Sequence, residues 1–564
     1  MNLSPNDKMA GVLAPLFALR TEDDLGIGDV AALRQFIDWS RNAGFKLVQL
    51  LPINETGGDH SPYNAISSRA IDPTTLYLAP GTPEDLSEAD YEEVTAGVDL
   101  KALRRGNVNY EIVKPLKKKL LERSFDAFLE RAGDDSVFAA FCENEKSWLA
   151  DYTLFRVLME LNGERELWDT WPAEQAEIGA ARRWFESLGK EELTPLQERR
   201  AFHSYVQWIA HQQWCEVKAY AEEQGVALMG DIPFGVSYYS ADVFAFPDRF
   251  ALEWSCGAPP EPYFKDDAFT QKWGQNWGIP LYRWNHMREH QFDWWRQRVR
   301  GVREIFHLFR IDHILGFYRI YAFPWRPQEN AEFLPLSWEE MLARTGGRVP
   351  HFAPRDDNSH ENCELNRRDG DEYLRVVLEE AGATRIIGED LGTVPDYVRP
   401  NLRSLGIAGF KIPQWENDRD QRSIPGSAYE RISVATFATH DHKPVRALWE
   451  EAAAGGSVSA EQARHDLSKM AEFAGIPLPN ELTDYLHDFY PRLFEALFAS
   501  ESWIALVMIT DLLGRKDRFN VPGTAADSNW SRRLHTTVAK LGHCRTLKRQ
   551  LQIVRQLLER TGRI

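Results

Sequence analysis

The chain has 564 residues and a mass of 64.8 kDa, which favours several domains or one large barrel with insertions over a single small core. Its 84 acidic residues outnumber its 66 basic residues, and the resulting net charge of −18 repels phosphate backbones and anionic membranes. Composition therefore argues against nucleic-acid-binding and membrane-surface proteins, and we expect neither kind of partner.

The cysteines are scattered and show no C-x-x-C spacing for zinc or redox chemistry, which favours a reducing compartment. The amino terminus lacks the pattern of a signal peptide, and no apolar run reaches the roughly 18 residues that span a bilayer. We therefore expect a cytoplasmic protein. The five cysteines are Cys142, Cys215, Cys256, Cys363 and Cys544.

Eight short apolar runs end in a polar residue and a loop, as buried parallel strands do when function lies at their carboxyl ends. Helical periodicity lies between most of them, for example at 30–43 and 371–381. This alternation predicts an α/β protein with a (β/α)8 TIM-type barrel, because the alternative open sheet usually carries a G-x-G-x-x-G turn that is missing here. The eight predicted strands are 11–16, 46–51, 226–231, 305–312, 385–389, 408–412, 432–439 and 503–510.

The spacing of these strands predicts insertions into a barrel domain that spans residues 1–535. Residues 90–223, between the second and third strands, have helical periodicity and are expected to form a mainly helical subdomain. Residues 324–370, between the fourth and fifth strands, are rich in Pro, Asn, Asp and Arg and are expected to loop over the barrel mouth. Residues 535–564 are expected to form a basic amphipathic C-terminal helix.

Carboxylates follow four of the predicted strands: Asp231, Asp312, Glu389 and Asp441. An ionised carboxylate in a dry interior costs several kcal/mol unless it is compensated, so four acids at one rim of a barrel indicate a catalytic site. The alternative for each acid alone is a helix N-cap or a loop ion pair.

The immediate surroundings of two of these acids predict different protonation states. Arg310 and Asp312 are two residues apart on a strand, so they share a face, and the guanidinium is expected to keep Asp312 ionised as a nucleophile. Glu389 follows an apolar run, which favours the protonated form that a general acid needs. Retaining glycosidic-bond chemistry requires such a pair. No metal is expected, because His313, His440 and His442 lack ligand spacing.

Short motifs lie in a fixed order along the chain: Leu51-Pro52 with Ser61-Pro62-Tyr63, Gly230-Asp231-Ile232-Pro233, Gly257-Ala258-Pro259-Pro260, Gly274-Gln275-Asn276-Trp277-Gly278, Arg310-Ile311-Asp312-His313, Glu389-Asp390-Leu391-Gly392, His440-Asp441 and Asn520-Val521-Pro522-Gly523-Thr524. This ordered set resembles the amylomaltases, the 4-α-glucanotransferases of glycoside hydrolase family 77. The resemblance extends from about residue 11 to residue 533.

The resemblance implies that Asp312 is the nucleophile, that Glu389 is the general acid/base, and that Asp441 holds sugar hydroxyls in the transition state. It implies no cofactor, and it implies α-1,4-glucans and maltooligosaccharides as substrates. For Tyr63 and Trp277, core packing is the alternative. The residues that it places at the substrate are Tyr63, Asp231, Gln275, Trp277, Arg310, His440 and Asn529.

The predicted activity is transfer of an α-1,4-glucan segment to the 4-hydroxyl of another glucan. The alternatives are a retaining hydrolase of the α-amylase type, which would use the same carboxylates, and a non-catalytic glycogen-binding protein. An aromatic group is expected to form an acceptor platform with the 324–368 insertion: Tyr263, Phe264, Trp273 and Trp277. The sequence departs from the family pattern at Asn64, Glu261, Pro413 and His442, so the resemblance predicts no preferred acceptor. The sequence predicts no oligomeric state either.

Overall fold

The computed structural model describes residues 1, 3–131, 136–260, 267–383, 385–522, 528–543 and 545–564. The strands of this part of the chain, in chain order, are β1 (Met9–Leu13), β2 (Leu47–Gln49), β3 (Ala227–Pro233), β4 (Phe250–Ala258), β5 (Gln275–Tyr282), β6 (Leu308–Asp312), β7 (Ile320–Phe323), β8 (His351–Ala353), β9 (Arg385–Gly388), β10 (Gly409–Lys411), β11 (Ser433–Ala435) and β12 (Ile504–Met508).

Eight of the strands form one parallel sheet in the order β10–β11–β12–β1–β2–β3–β6–β9. A single parallel bridge between Ile387 and Ala408 joins β9 to the segment before β10, so the sheet is nearly closed. The predicted (β/α)8 barrel is thereby confirmed, and each predicted strand overlaps an observed one. The first strand begins at Met9, two residues earlier than predicted.

The helices lie mostly between these strands. They are α1 (Val30–Ala43), α2 (Glu88–Thr95), α3 (Leu100–Arg105), α4 (Tyr110–Arg131), α5 (Ser136–Leu161), α6 (Ile178–Ser187), α7 (Lys190–Glu223), α8 (Ala241–Ala245), α9 (Ala268–Lys272), α10 (Trp284–Glu289), α11 (Asp293–Ile305), α12 (Asn330–Phe333), α13 (Trp338–Arg344), α14 (His360–Ala381), α15 (Val398–Ser404), α16 (Val445–Ala454), α17 (Val458–Phe473), α18 (Tyr490–Ala499), α19 (Ile509–Leu512) and α20 (Arg545–Arg560). Among the described residues, no helix is both long and apolar enough to cross a membrane.

Helix α1 shows how local sequence produces these helices. The Asp29 side chain accepts hydrogen bonds from the amides of Ala31 and Ala32, which caps the amino terminus, and Gly44 ends the helix at a φ of 97°. Its apolar residues are buried on one face, as the periodicity of residues 30–43 predicts. In the described part of the segment between β2 and β3 there are six helices, α2–α7. The boundaries of the predicted subdomains stay a prediction.

A second sheet, which the sequence did not predict, stands beside the carboxyl ends of the barrel strands. It is antiparallel, has the order β5–β4–β7–β8, and uses residues on both sides of β6. The expectation of a loop at 324–370 is wrong in part, because this segment contains α12, α13, β8 and the first turns of α14. Strand β5 includes Gly278 and Pro280, which hide a strand from sequence patterns.

Candidate active site

The register of β3 and β6 brings the first acids together. The two strands pair in parallel with Asp231 opposite Arg310 and Pro233 opposite Asp312. Arg310 Nη1 donates to both Asp231 oxygens at 2.8 and 2.7 Å, and Arg310 Nη2 donates to Asp312 Oδ1 at 2.7 Å. One guanidinium therefore orients two carboxylates, and Arg310 and Asp312 share a face as the sequence predicts.

Burial differs between these two carboxylates. The side chains of Asp231 and Arg310 are buried, whereas that of Asp312 is 31% exposed. Burial alone would lower the pKa of Arg310, but Asp231 and Asp312 raise this pKa well above its ordinary value, so the guanidinium stays charged. Asp312 is the member of the group that a substrate can reach.

Glu389 lies directly after β9, on the other side of β6. Its Oε2 accepts a hydrogen bond from the His313 amide at 2.9 Å, and its Oε1 accepts one from the Leu391 amide at 3.2 Å. Burial raises the pKa of Glu389 to about 8; Arg310 lowers it, and Asp312 raises it further. The Glu389 carboxyl is consequently protonated at neutral pH, as the apolar run before Glu389 in the sequence predicts.

His313 contributes to this site in a way that sequence reasoning missed. It adopts a φ of 49°, in the left-handed region that a non-glycine residue rarely occupies, and its amide hydrogen-bonds Glu389. Burial lowers the pKa of its imidazole to about 4, so the ring is neutral at neutral pH. The position of His313 directly after Asp312 in the sequence could have indicated that it belongs to the site.

Asp441 lies in the loop that follows β11. Asn520 Nδ2 donates to its Oδ1 at 2.6 Å, and His440 Nε2 lies 3.2 Å from its Oδ2. Burial acts to raise the pKa of Asp441, but His440 and the Asn520 hydrogen bond outweigh burial and lower it below its ordinary value. Asp441 is therefore ionised at neutral pH. Asn520 belongs to a quoted motif, but the sequence assigned it no role.

Tyr63 connects the two groups of acids. Its hydroxyl donates to Asp231 Oδ2 at 2.7 Å. Its ring stacks on His440 with the ring centroids 5.0 Å apart and the planes 8° apart. Trp530, which sequence reasoning missed, packs against both rings at centroid distances of 5.8 and 6.0 Å. Tyr63 is half-buried, so its ring is neither a core residue nor a free surface residue.

Gln275 and Trp277 open strand β5 beside the catalytic rim. Gly274, at a φ of 105°, begins this turn, and a Cβ there would lie 2.1 Å from the carbonyl oxygen of Ala258. Trp277 Nε1 donates to Gln275 Oε1 at 3.1 Å, and the indole meets the His313 ring edge-on at 4.9 Å. Trp277 is 39% exposed, so the alternative of core packing is wrong for it.

Asn529 lies beside the loop that carries Asn520. Its Oδ1 accepts from the Val521 amide at 3.0 Å, and its Nδ2 donates to the Val521 carbonyl at 3.3 Å. These bonds hold the backbone of Val521, the residue after Asn520, whose side chain donates to Asp441. Several residues singled out in the sequence lie outside the described residues: Glu261, Tyr263, Phe264, Gly523, Thr524 and Cys544.

Two departures from the family pattern meet next to Asp441. The ring of Trp415, two residues after the departure at Pro413, meets the ring of His442 edge-on at 4.9 Å. His442 Nδ1 lies 2.8 Å from Thr439 Oγ1, and burial lowers the pKa of His442 to about 4. Asn64 is exposed, and its Nδ2 donates to Asp59 Oδ2 at 2.7 Å.

The arrangement as a whole combines a reachable carboxylate, a protonated carboxyl, and an ionised carboxylate beside an aromatic surface. Such a set can attack a carbon centre, protonate a leaving oxygen and stabilise positive charge. Within the described ranges, no three His, Cys, Asp or Glu side chains are grouped so that they could hold a metal ion.

Comparisons with known proteins identify similar sequences and a similar fold. The family model described as 4-alpha-glucanotransferase, glycoside hydrolase family 77, matches residues 14–538. The 4-alpha-glucanotransferase of Chlamydia pneumoniae is 31% identical over 553 residues, which cover 94% of this chain and 92% of that protein. The Chlamydia caviae protein of the same name is 30% identical over 546 residues, covering 94% of this chain and 91% of that protein. The structure of the Streptococcus agalactiae amylomaltase in complex with acarbose has the same fold, with a TM-score of 0.75, 23% identity, and coverage of 99% of this chain and 100% of that chain.

Proposed function

The chain belongs to the 4-alpha-glucanotransferase family, and on that premise we propose which of its residues carry out the transfer of glucan segments. The observation that carries the assignment is the difference in surroundings between two carboxyls: burial raises the pKa of Glu389 to about 8, whereas the partly exposed Asp312 accepts a hydrogen bond from Arg310 at 2.7 Å. Double displacement requires one carboxyl that protonates and one that attacks.

The first half-reaction cleaves the donor. An Asp312 oxygen attacks the anomeric carbon while the bond from that carbon to the glycosidic oxygen breaks, which leaves a glycosyl ester on Asp312. The Glu389 proton goes to the departing 4-oxygen, so the leaving glucan is released as an alcohol and Glu389 becomes a carboxylate. The amides of His313 and Leu391 are placed to stabilise that carboxylate.

The second half-reaction returns the enzyme to its starting state. Glu389 takes the proton from the 4-hydroxyl of an acceptor glucan as this oxygen attacks the anomeric carbon. The ester bond to Asp312 breaks, and two inversions give net retention. Water can replace the acceptor, so transfer requires acceptor contacts that hold a glucan in attack geometry.

Other residues of the site support these two steps. The ionised Asp441, which Asn520 contacts at 2.6 Å and His440 at 3.2 Å, is proposed to bind sugar hydroxyls and to counter the oxocarbenium charge. Arg310 orients Asp312, and the Tyr63 ring offers a surface for the sugar at the cleavage point. Gln275 and the half-exposed Trp277 are proposed acceptor contacts, and Asn529 is proposed to act through its loop.

The substrates that fit this chemistry are α-1,4-glucans and maltooligosaccharides, and the proposed location is the cytoplasm. Within the described part of the chain the cysteines Cys142, Cys215, Cys256 and Cys363 are unpaired, which is typical of a reducing compartment. The net charge of −18 disfavours anionic surfaces as partners.

Incubation with maltotriose separates transfer from hydrolysis. We expect a ladder of shorter and longer glucans while the number of reducing ends stays nearly constant, because each cleavage is matched by a new bond. The Asp312→Asn protein is the matched control and should give no ladder. A steady rise in reducing ends without any product longer than maltotriose would instead identify a hydrolase.

A further inference from the structure

A second exposed tryptophan lies on the same antiparallel-sheet region as Trp277. Trp338 is the first residue of α13 and is 51% exposed, which is unusual for so large an apolar side chain. Tryptophan is enriched among the residues that contribute most of the binding energy at interfaces. Neither the two half-reactions nor the acceptor contacts proposed above use Trp338.

The Trp338 ring packs against a buried tryptophan. It stacks on Trp273, with the centroids 6.1 Å apart and the planes 23° apart. Trp273 is buried, and its Nε1 donates to the Phe333 carbonyl at 3.1 Å. The prediction that Trp273 contacts an acceptor is therefore wrong, and the residue supports Trp338 instead. Trp273 therefore covers part of the Trp338 side chain, which remains 51% exposed.

The backbone that carries Trp338 is fixed as well. Ser337 and Glu340 form a capping box, with the Ser337 hydroxyl accepting from the Glu340 amide at 3.2 Å and Glu340 Oε2 accepting from the Ser337 amide at 2.7 Å. Lys272 Nζ donates to the carbonyls of Leu334 and Leu336 at 2.8 and 2.6 Å. Little conformational entropy is lost when a ligand binds to a side chain held in this way.

The support of Trp338 is continuous with the acceptor side of the catalytic site. Trp273 directly precedes the turn that carries Gln275 and Trp277, and Asn276 Nδ2 donates to the carbonyl of Trp325, which packs against Trp273. Trp277 in turn contacts His313, the neighbour of Asp312. The two exposed indoles thus belong to one packed unit.

We propose that Trp338 is a glucan-binding platform outside the catalytic cleft, where a glucose unit of a long α-1,4-glucan stacks on the exposed part of the indole. The inference rests on the proposed function, since the substrate is a chain that can extend beyond the cleavage point. The C–H face of a pyranose is flat and apolar and matches an exposed indole, while its hydroxyls remain in water. A second attachment point raises the effective concentration of a long chain at the site without affecting a short one.

The test compares long and short glucans in the Trp338→Ala and Trp338→Phe proteins. Electrophoresis through gels that contain glycogen measures the affinity for long chains, and maltotriose disproportionation measures the catalytic site. We expect Trp338→Ala to weaken glycogen affinity about fivefold or more, while kcat/KM for maltotriose stays within about twofold because the catalytic contacts remain. Trp338→Phe should recover most of the affinity, because a flat ring remains.

The matched control is Val458→Ala, which removes another exposed apolar side chain, at the start of α17, and should leave glycogen affinity unchanged. Unchanged glycogen affinity in Trp338→Ala, with maltotriose activity intact, would refute the proposal that Trp338 binds glucan. This is also the result expected if Trp338 binds a protein partner instead. Loss of maltotriose activity in Trp338→Ala but not in Trp338→Phe would show a structural role and would also overturn it. Failure of the unmodified protein to disproportionate maltotriose would refute the proposed function itself.

Discussion

Replacement of Glu389 by Gln tests the central electrostatic feature of the site. Burial raises the pKa of Glu389 to about 8, so about 90% of this carboxyl is protonated at pH 7. A glutamic acid with an ordinary pKa of about 4.3 would be only about 0.2% protonated at that pH. The environment thus increases the fraction of enzyme ready to protonate a leaving group several hundredfold.

Two donors separate this role from others. With a maltooligosaccharide the leaving oxygen needs a proton, and Glu389→Gln should lower the rate of glycosyl-enzyme formation about 10²–10⁴-fold. An α-glycosyl fluoride releases fluoride without needing a proton from the enzyme. The rate of fluoride release in the first turnover should therefore fall less than about tenfold in Glu389→Gln. Equal losses with both donors would refute the assignment of Glu389 as general acid.

The pH dependence provides a second measurement of the same property. For the unmodified protein kcat/KM should fall tenfold per pH unit above about pH 8, and this basic limb should vanish for fluoride release by Glu389→Gln. Glu416→Gln, which removes a buried carboxylate after the adjacent strand β10, is the matched control and should keep the limb. A limb near pH 5 in the unmodified protein would contradict the environment described for Glu389.

Stability should respond to pH in the matching direction. Since the folded pKa of Glu389 lies above its unfolded value, its contribution to stability is fully present below about pH 4 and is lost as the pH rises through about 8. The Tm of Glu389→Gln minus the Tm of the unmodified protein should therefore increase as the pH is raised from 5 to 8. A constant difference in Tm across this range would show that the carboxyl is not held in its protonated form.

Three further substitutions test the remaining roles. Asp312→Asn should fold normally and lose turnover by several orders of magnitude, since an amide cannot form the glycosyl ester; near-normal kcat would remove Asp312 from the nucleophile role. Trp277→Ala should raise the ratio of new reducing ends to transfer products from maltotriose, because water gains access when acceptor contacts are lost; an unchanged ratio would argue against an acceptor role for Trp277. Tyr63→Phe removes the 2.7 Å hydrogen bond to buried Asp231 and should lower the free energy of unfolding by about 1–3 kcal/mol in urea titrations, with a fall in kcat; full stability would show that water replaces the hydroxyl.

The amino-acid sequence by itself determined the barrel and the position of its acids along the chain. Each barrel strand is a local apolar run, and Asp312 and Glu389 directly follow such runs, so parallel strands must carry them to one rim. The Arg310–Asp312 pair was predictable for the same reason, because residues two apart on a strand share a face.

The tertiary structure alone decided how these residues are connected. The stacking of Tyr63 on His440, the Asn520 hydrogen bond to Asp441 and the His313 amide at Glu389 join segments that are 76 to 377 residues apart in the chain, so no local pattern encodes them. The antiparallel sheet was also hidden, because its strands flank β6 and β5 contains Gly278 and Pro280. Burial of Glu389 is a property of the assembled barrel, and desolvation, which acts only after these segments meet, is what sets its protonation state.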